Sequence, residues 1–522
     1  MDKQLKYHLR WLTKSDYKML LKGGKKGLEK ESLRITPKGS IAQTSHPQSL
    51  GSALTHPYIT TDYSEALLEF VTPPCEQVEQ TLDFLTHTHQ FTYTNLNDEM
   101  LWAASMPCAV TDEKEIPIAY YGTSNVGQMK HVYRRGLGYR YGREMQIIAG
   151  IHFNYSLPES FWPILQAQNH SQLPLAHFIN KRYIHLLRNF HRLGWIISYL
   201  FGASPAVCQC FLKTPHKGFI HFDSSTYTLP YATSLRMSDI GYKNDTQAGV
   251  DIPYNNLSEY IEGLTKAIET PFPPYEKIGV EVDGSYRQLN ANVLQIENEF
   301  YSFIRPKQIT QSGEKPTLAL KRRGVQYIEV RALDINPYEP LGVNQHQLYF
   351  LEAFLILCLL KASPNLDSNQ RKEAEHNQRK VACCGRDPVL NLQQNGENTL
   401  LKTWALEIYQ EMEEICSLLD QGLEDQPYTT ALTQQYPLIE DPDLTPSAQI
   451  LAEMKKTGRT FYRLAIDLSQ QHANYFKEIP FSQDKMEYFT QLAQTSWQKQ
   501  RHMEATDTLS FKEYLAHYLA QK

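Results

Sequence analysis

The stretch GLEKESLRI, residues 27–35, places two glutamates at alternate positions beside large apolar residues. Successive side chains of a β-strand point to opposite faces, so Glu29 and Glu31 would share one face with Leu33 and Ile35. A carboxylate among such neighbours is expected to be buried, and burial without a partner is costly. The pattern therefore predicts a strand whose glutamates are neutralised by something cationic.

Four further stretches show the same strand-like alternation. They are LLEFV (67–71), MQIIAGIHFNY (145–155), LQIENEFY (294–301) and YIEVRAL (327–333). The polar side chains that share a face in each are, in that order, Glu69; Gln146, His152 and Asn154; Gln295, Glu297 and Glu299; and Glu329 and Arg331. Solvated faces of antiparallel strands are the simpler alternative. For 294–301 that alternative is as good as burial, whereas apolar neighbours favour burial of the glutamates elsewhere.

Several buried carboxylates would repel one another, and few arginines, among them Arg34 and Arg331, are close to them in sequence. Metal ions are the economical source of positive charge. Oxygen donors with little imidazole and no thiolate indicate a hard divalent cation, Mg²⁺ or Mn²⁺. Carboxylate-bound Mg²⁺ usually keeps positions open for substrate phosphates, so the pattern favours nucleotide chemistry. No P-loop, dinucleotide-binding or kinase motif occurs, so metals and arginines on a sheet would handle the phosphates.

The chain has 522 residues, with 57 acidic and 52 basic side chains and a formal net charge of −5. Its hydrophobic and charged fractions, 41% and 21%, are those of an ordinary soluble protein. The balanced charge argues against nucleic acid or an anionic membrane surface as a partner.

The N-terminus shows no secretory-signal pattern. The most apolar stretch, AFLILCLL at 353–360, is far shorter than the roughly 20 residues of a membrane-spanning helix. The eight cysteines are scattered and lack the C-x-x-C spacing of structural zinc sites. These features predict a cytoplasmic protein with free thiols and no membrane partner.

Helical spacing of apolar residues at 76–97, 177–201 and 342–361 predicts helices between the strands, so the core is expected to be α+β. Beyond residue 362 the chain becomes polar and then mostly amphipathic, and one helix is expected to begin at Pro446 with Thr445 as its N-cap. We therefore expect a core over 1–362. A helical C-terminal region over 363–522 would pack on that core and is not expected to be independent.

Three loops are rich in turn-forming and small residues: YGTSNVG (121–127), FGASPA (201–206) and YATSLRMSDIGY (231–242). The last carries Arg236 between aromatic residues. A lone arginine in such a loop is more often a surface ion pair than a ligand clamp, and the residues alone favour that interpretation.

Taken together, the blocks at 27–35, 51–74, 121–127, 145–158, 201–206, 231–242, 294–301 and 327–337 strongly resemble glutamate–cysteine ligase, and more narrowly the monofunctional proteobacterial type. The resemblance runs from about residue 23 to 360 and weakens in the helical tail. It implies a fold related to glutamine synthetase, in which a curved antiparallel sheet surrounded by helices holds metals on its polar inner face.

The resemblance also implies site residues. The metal-binding acids would be Glu29, Glu31, Asp62, Glu69 and Glu329, with Glu65 a weaker candidate. Glutamate would be bound by Arg236, Gln146, His152 and Asn154, and cysteine by Tyr133, Leu137, Tyr242 and Tyr301. Arg331 and Glu329 would be catalytic, and Arg305 and Lys307 would approach the nucleotide.

The implied reaction joins the γ-carboxylate of L-glutamate to the amine of L-cysteine through a γ-glutamyl phosphate, with ATP as phosphoryl donor. Two or more Mg²⁺ ions, replaceable by Mn²⁺, and a monomeric enzyme are expected. Two alternatives stay open: a related ligase that joins glutamate to another amine, and a non-catalytic regulator that binds ATP or an amino acid.

Overall fold

The computed structural model describes residues 2–14, 17, 19–110, 112–212, 218–241 and 251–521. Its strands are β1 (Lys25–Ile35), β2 (Ile59–Thr61), β3 (Leu67–Val71), β4 (Met100–Leu101), β5 (Ile151–Ser156), β6 (Ala206–Cys208), β7 (Ile220–His221), β8 (Thr226–Thr228), β9 (Glu281–Val282), β10 (Ser285–Tyr286), β11 (Ile304–Lys307), β12 (Tyr327–Leu333), β13 (Asn391–Gln394) and β14 (Glu397–Leu400).

The helices connect and surround these strands. They are α1 (Lys3–Leu12), α2 (Val78–Asn95), α3 (Asn125–Tyr141), α4 (Phe161–Gln168), α5 (Leu175–Leu193), α6 (Trp195–Phe201), α7 (Leu257–Glu269), α8 (Pro273–Glu276), α9 (Pro316–Arg323), α10 (Gln345–Leu360), α11 (Ser368–Cys384), α12 (Leu401–Asp420), α13 (Pro427–Thr433), α14 (Tyr436–Glu440), α15 (Pro446–Thr457), α16 (Phe461–Glu478), α17 (Gln483–Thr506) and α18 (Phe511–Ala520). No helix within the described ranges combines the length and apolar character needed to cross a membrane.

A seven-stranded antiparallel sheet forms the centre of the fold, in the order β11-β12-β5-β1-β3-β2, and β4 pairs with β1 beside that order. One face is apolar: Leu28, Phe70, Phe153 and Val330 are completely buried on it. Helices α2, α5 and α6 pack against sheet strands, and α10 packs on α2 and α5. The strand predicted over 27–35 and the α+β class are both confirmed.

Of the predicted strands, 145–155 is wrong in part and 294–301 is wrong throughout. The stretch 145–155 begins with a 3-10 turn over Glu144–Ile147, and β5 starts only at Ile151. The backbone N–H of Gly150 donates to the Glu31 carboxylate at 2.6 Å, so this segment bonds to a side chain before the strand begins. Gln146 therefore reaches the site from a turn.

The stretch 294–301 is not a strand, and its acids are not solvated. It contains a 3-10 turn over Glu297–Glu299, and the side chains of both glutamates are buried. Glu299 accepts a hydrogen bond from the backbone N–H of Gln295 at 2.6 Å and pairs with Arg140 at 2.9 Å. Because these partners satisfy its carboxylate, Glu299 can be buried without contact to solvent. An alternating sequence pattern gives no information about such partners.

The helix predictions hold with one interruption. Helices α2 and α10 correspond to 76–97 and 342–361, and α15 begins at Pro446 with Thr445 as N-cap. The stretch 177–201 is divided between α5 and α6 at Gly194. A side chain at Gly194 would lie 2.6 Å from the Phe190 carbonyl oxygen, so this close approach needs a glycine.

The expectation that all cysteines are free is wrong for one pair. Cys108 and Cys208 form a disulfide with Cα atoms 5.5 Å apart, across 100 residues of sequence. The cysteines that remain free are Cys75, Cys210, Cys358, Cys383, Cys384 and Cys416. Spacing along the chain carries no signal for such a bond, because the fold alone brings the segment after β4 to strand β6.

A buried ion pair joins the sheet to the helices. Lys26 of β1 and Glu352 of α10 approach to 3.0 Å, with side chains 4% and 1% exposed. Tyr428 of α13 donates to the same Glu352 oxygen at 2.8 Å. The Lys26 ammonium also donates to the carbonyls of Gly24 and Glu76. Residues of the region after 362 thus share a polar cluster with the central strand.

Replacing Glu352 by glutamine keeps its volume but leaves the Lys26 ammonium without a counter-charge. We expect the free energy of unfolding to fall by about 3 kcal/mol, the scale for breaking a buried ion pair. Urea denaturation followed by circular dichroism measures the change. Glu440→Gln, in the exposed pair with Lys402, is the matched control and should leave stability unchanged. Equal effects of the two variants would contradict the role of the buried pair.

Candidate active site

The register of the sheet collects the predicted polar residues on one face. Residues directly opposed on antiparallel strands share a face. The opposed pairs are Glu31 with Glu69, Glu29 with His152, Asn154 with Glu329, and Arg305 with Glu329. Strands β11, β12, β5, β1 and β3 thus each contribute polar groups to one continuous row, although those groups are far apart in sequence.

A cavity of about 540 Å³ lies over this face, and we call it the central cavity. Its volume is in the range of roughly 300–1,000 Å³ that is usual for small-molecule sites. The predicted site residues that line it are Glu29, Glu31, Asp62, Glu69, Tyr133, Leu137, Gln146, His152, Tyr301, Arg305, Lys307, Glu329 and Arg331. Arg236 and Asn154 are placed next to the lining rather than in it, and Tyr242 lies outside the described residues.

His152 stands between three carboxylates. Its Nδ1 lies 2.9 Å from Glu29 and 3.8 Å from Glu329, and its Nε2 lies 3.9 Å from Glu31. Asn154 donates to the other Glu29 oxygen at 2.9 Å. One ligand atom each from Glu29, His152 and Glu329 lie within 4.8 Å of one another, so a single metal ion could contact all three.

Two of the carboxylates resist ionisation. Burial, and then the neighbouring charge of Asp62, raises the pKa of Glu31 to about 8. Burial, and then the charge of Glu29, raises the pKa of Glu69 well above its usual range. A divalent cation among these groups would offset both causes, because it supplies the opposite charge at short range.

Two other carboxylates have lowered pKa values, because basic side chains of the protein lie beside them. Burial acts to raise the pKa of Glu329, but Lys307 and Arg331 outweigh it and hold the pKa well below its usual range. The Lys307 ammonium and the Arg331 guanidinium each lie 3.3 Å from a Glu329 oxygen. Burial and the charge of Glu329 likewise oppose ionisation of Glu29, yet the hydrogen bond and charge of His152 lower its pKa.

The donor set of the central cavity fits a hard divalent cation. Nε2 of His152 and Oδ1 of Asn154 are buried without a hydrogen-bond partner among the described residues, and Oε2 of Glu329 is in the ion pair with Arg331. Carboxylate oxygens with one imidazole are suitable ligands for Mg²⁺ or Mn²⁺. The resemblance placed His152 with a substrate, and the geometry adds it to the candidate metal ligands. Its pairing with Glu29 across β1 and β5 was not readable from either strand alone.

One face of helix α3 lines the cavity, and only Tyr133 and Leu137 of that face were among the predicted site residues. Its cavity-lining residues include Lys130, Tyr133, Arg134 and Leu137. These positions have the i, i+3, i+4, i+7 spacing of one helical face, which was available as a signal. Arg134 donates to the backbone carbonyl of Asp62. Burial, and then the charge of Arg134, lowers the pKa of Lys130 to about 8.

Arg236 is not in a surface ion pair. It is 1% exposed, donates to the backbone carbonyl of Arg331 at 3.1 Å and lies 3.8 Å from Asp334. A Cβ at Gly150 would overlap the Arg236 guanidinium. Because Gly150 also donates to the Glu31 carboxylate, Arg236 lies immediately next to the lining of the central cavity.

Two acids at or near the cavity already have hydrogen-bond or ion-pair partners within the protein. Glu65, the weaker metal candidate, accepts from the backbone N–H groups of His46 at 2.9 Å and Tyr120 at 2.8 Å. Glu299 is paired with Arg140, as described above. The Glu65 carboxylate therefore links two loops through hydrogen bonds, and Glu65 is not among the cavity-lining residues.

Comparisons with known proteins agree with one another. A family profile described as glutamate–cysteine ligase matches residues 9–381. A glutamate–cysteine ligase of Alcanivorax borkumensis is 48% identical over 522 residues, which cover 99% of this chain and 99% of that protein. One from Pseudomonas putida is 48% identical over 502 residues, covering 96% and 95% respectively.

Solved structures show the same likeness. A glutamate–cysteine ligase of Francisella tularensis in complex with AMP superposes with a TM-score of 0.90 at 35% identity, covering 95% of this chain and 97% of that one. A bifunctional glutathione synthetase of Pasteurella multocida has a TM-score of 0.73 at 23% identity and covers 94% and 58%, a likeness of fold alone. The predicted glutamine synthetase-like ligase fold is thereby confirmed.

We expect a divalent cation to stabilise the folded chain, since the acids lie together only once the sheet has assembled. A ligand present at 100 times its Kd adds about 2.7 kcal/mol to the free energy of unfolding. Mg²⁺ added to metal-free protein should raise the midpoint of thermal unfolding in calorimetry, and Glu329→Gln should abolish most of that rise. Glu65→Gln, outside the cavity, should retain it. A midpoint independent of Mg²⁺ would overturn the assignment.

Proposed function

The chain belongs to the glutamate–cysteine ligase family, and from that membership we propose how the central cavity divides its work. The enzyme is an ATP-dependent ligase that joins L-glutamate to L-cysteine. It yields γ-glutamylcysteine, ADP and phosphate, the first step of glutathione biosynthesis.

The observation that carries the proposed residue roles is the gathering of acids beside cations in one cavity. Glu29, Glu31, Asp62, Glu69 and Glu329 all line it, and Arg305, Lys307 and Arg331 line it with them. Such a set suits a reaction that moves a highly charged phosphoryl group, in which positioning and electrostatic stabilisation dominate catalysis. A protein that only bound nucleotide would not need all of these groups.

Mg²⁺ at two or more positions, with Mn²⁺ as a substitute, is the proposed metal. The acids Glu29, Glu31, Asp62, Glu69 and Glu329 would hold it, and the position of His152 between Glu29 and Glu329 supports an imidazole ligand as well. When bound, the metal neutralises the nucleotide phosphates and aligns the donor and acceptor oxygens.

The reaction is proposed to have two steps. A carboxylate is a poor electrophile, so a γ-carboxylate oxygen of glutamate first attacks the γ-phosphorus of ATP. The bond from phosphorus to the β–γ bridging oxygen breaks, and ADP leaves. The amine of cysteine then attacks the carbonyl carbon of γ-glutamyl phosphate, phosphate departs, and the nitrogen releases a proton. No protein nucleophile is needed, so none of the eight cysteines is given a catalytic role.

Arg331 is the proposed catalytic cation. Glu329 is proposed to bind the metal and also to hold the Arg331 guanidinium in place. Their 3.3 Å ion pair supports this orientation of the guanidinium toward the cavity. A fixed charge aimed at negative charge that develops in the transition state is worth roughly 3 kcal/mol. Arg305 and Lys307, on the neighbouring strand β11, are proposed to contact the nucleotide phosphates.

The two amino acid substrates are proposed to lie on different walls. Gln146, His152, Arg236 and Asn154 would bind glutamate on the β1–β5 side. Tyr133, Leu137 and Tyr301, with Tyr242, would bind cysteine beside helix α3. We further propose a cytoplasmic monomer with a catalytic core over 1–362 and a dependent helical region over 363–522. The packing of α10 against α12 and α13 supports that dependence.

One measurement tests the proposed function against its alternatives. ADP release is followed with ATP, Mg²⁺ and glutamate while the amine acceptor is varied. Release that depends on cysteine is the expected result. Release that requires another amine would indicate a related ligase. That alternative stays open because the tyrosine-rich side of the cavity assigned to cysteine carries no group specific for a thiol. Absence of release with every amine would indicate a regulator.

Removing the Arg236 guanidinium should weaken glutamate binding specifically. We expect Arg236→Ala to raise the KM for glutamate by about a hundredfold, the scale for a lost charge-assisted hydrogen bond, with a much smaller change in the KM for ATP. Gly150→Ala should act in the same direction, because its methyl group would displace the guanidinium. Initial-rate kinetics with each substrate varied measures the split.

Arg371→Ala is the control for that experiment. Arg371 pairs with Asp251 at 2.6 Å and does not line the central cavity, so its loss should leave both KM values unchanged. Equal rises in the KM for glutamate and for ATP in Arg236→Ala would show that Arg236 supports the site as a whole and does not bind glutamate.

A further inference from the structure

The helix α18, near the end of the chain, lies against the central cavity. Tyr514 and Tyr518 of α18 line the cavity together with Tyr133 of helix α3. Tyr518 is buried, with 7% of its surface exposed, and Tyr514 is partly buried. The helix begins with a capping box in which Ser510 and Glu513 bond to each other's backbone, so its start is well defined.

The segment that precedes α18 is hydrogen-bonded to the start of α3 and to the loop before it. Asp507 accepts a hydrogen bond from the backbone N–H of Asn125, and the Asn125 side chain donates to the Leu509 carbonyl at 2.9 Å. Glu504 accepts from the backbone N–H of Thr123 at 2.9 Å. These contacts give a role to the turn-rich loop at 121–127, whose Ser124 caps α3.

The far end of α18 is fastened to the segment before α9. Lys315 donates its ammonium to the carbonyls of Leu519 at 2.7 Å and Gln521 at 3.2 Å. A cation at the C-terminal carbonyls of a helix is favourable. Gln521 in turn donates to the carbonyl of Gly313 at 2.7 Å. The neighbouring segment 310–314 itself lines the central cavity.

Between these two fastenings, α18 packs on α3 through a small apolar cluster of its own. Met129, Val132, Leu289, Leu515 and Tyr518 form its buried part. Tyr133 and Tyr514 pack against the same cluster. Helix α18 is thus held beside Tyr133, the side chain that we assigned to the cysteine substrate.

We propose that α18 forms the outer wall of the acceptor-amine pocket, and that Tyr514 and Tyr518 determine which amines fit. This inference rests on the proposed function and on the assignment of Tyr133 to cysteine. The two rings limit the length of the acceptor side chain, so a short amino acid such as cysteine is accepted and a longer one is excluded. Both residues act by shape and by contact with substrate.

The test is steady-state kinetics on the full-length enzyme with Tyr514→Ala and Tyr518→Ala. We expect the KM for cysteine to rise by about tenfold or more, the scale for losing an apolar contact in a pocket. The KM values for ATP and glutamate should stay within about twofold of wild type, which separates local substrate binding from general loss of transition-state stabilisation. L-Methionine, a longer acceptor, should gain activity relative to cysteine in both variants.

Phe511→Ala is the matched control, because Phe511 belongs to the same helix but packs on Tyr286 and is not among the cavity-lining residues. It should leave all three KM values unchanged. Tyr514→Trp is a second variant that adds volume at a partly exposed position and removes no packing. It should raise the KM for cysteine by crowding, even if an alanine variant fails to fold.

The outcomes separate this inference from the proposed function. Wild-type enzyme without cysteine-dependent ADP release would refute the proposed function. Normal wild-type activity with an unchanged KM for cysteine in Tyr514→Trp and in the folded alanine variants would overturn only the role of α18. A rise confined to the KM for ATP would assign the helix to the nucleotide and would also overturn it.

Discussion

Carboxylates on one face of the central sheet repel one another, and the rest of the structure has to offset that repulsion. Glu31 opposes Glu69 directly across β1 and β3, and Glu29 and Glu329 flank His152 one strand away. Like charges at such distances in a buried site oppose folding unless cations intervene. The protein supplies Lys307 and Arg331 at one end of the row. At the other end, burial and neighbouring acids raise the pKa values of Glu31 and Glu69.

The scaffold around this row is correspondingly rigid. Strand β1 pairs along both edges, and its apolar face is covered by helices. The buried pair of Lys26 and Glu352 ties β1 to α10, while the backbone of Gly150 connects Glu31 to the position of Arg236. Each of these contacts limits the movement of a charged group. Preorganisation of this kind suits phosphoryl transfer, because charges already in place need not reorganise as the transition state forms.

Much of the site was predictable because alternation and burial are local properties. The glutamates of 27–35, 67–71 and 327–333 stand out among apolar neighbours, and the sheet places all of them in the central cavity. The same logic failed at 294–301, where a 3-10 turn replaces the expected strand. Its acids, for which solvation and burial were equally good interpretations, are buried, and Glu299 pairs with Arg140. Asp62, in a turn, had no periodic signal and came only from the resemblance. Arg236 looked like a surface residue because covering elements are distant in sequence.

The sequence by itself determined which residues are chemically useful: acids set among apolar residues at strand spacing, no glycine-rich phosphate loop, and blocks that identify the ligase family. The tertiary structure decided which of them meet. The pairing of Glu29 with His152, the Cys108–Cys208 disulfide and the docking of α18 beside Tyr133 all join segments a hundred or more residues apart. Such contacts depend on strand register and helix packing, and these are set by the collective burial of the whole core. No local pattern encodes them.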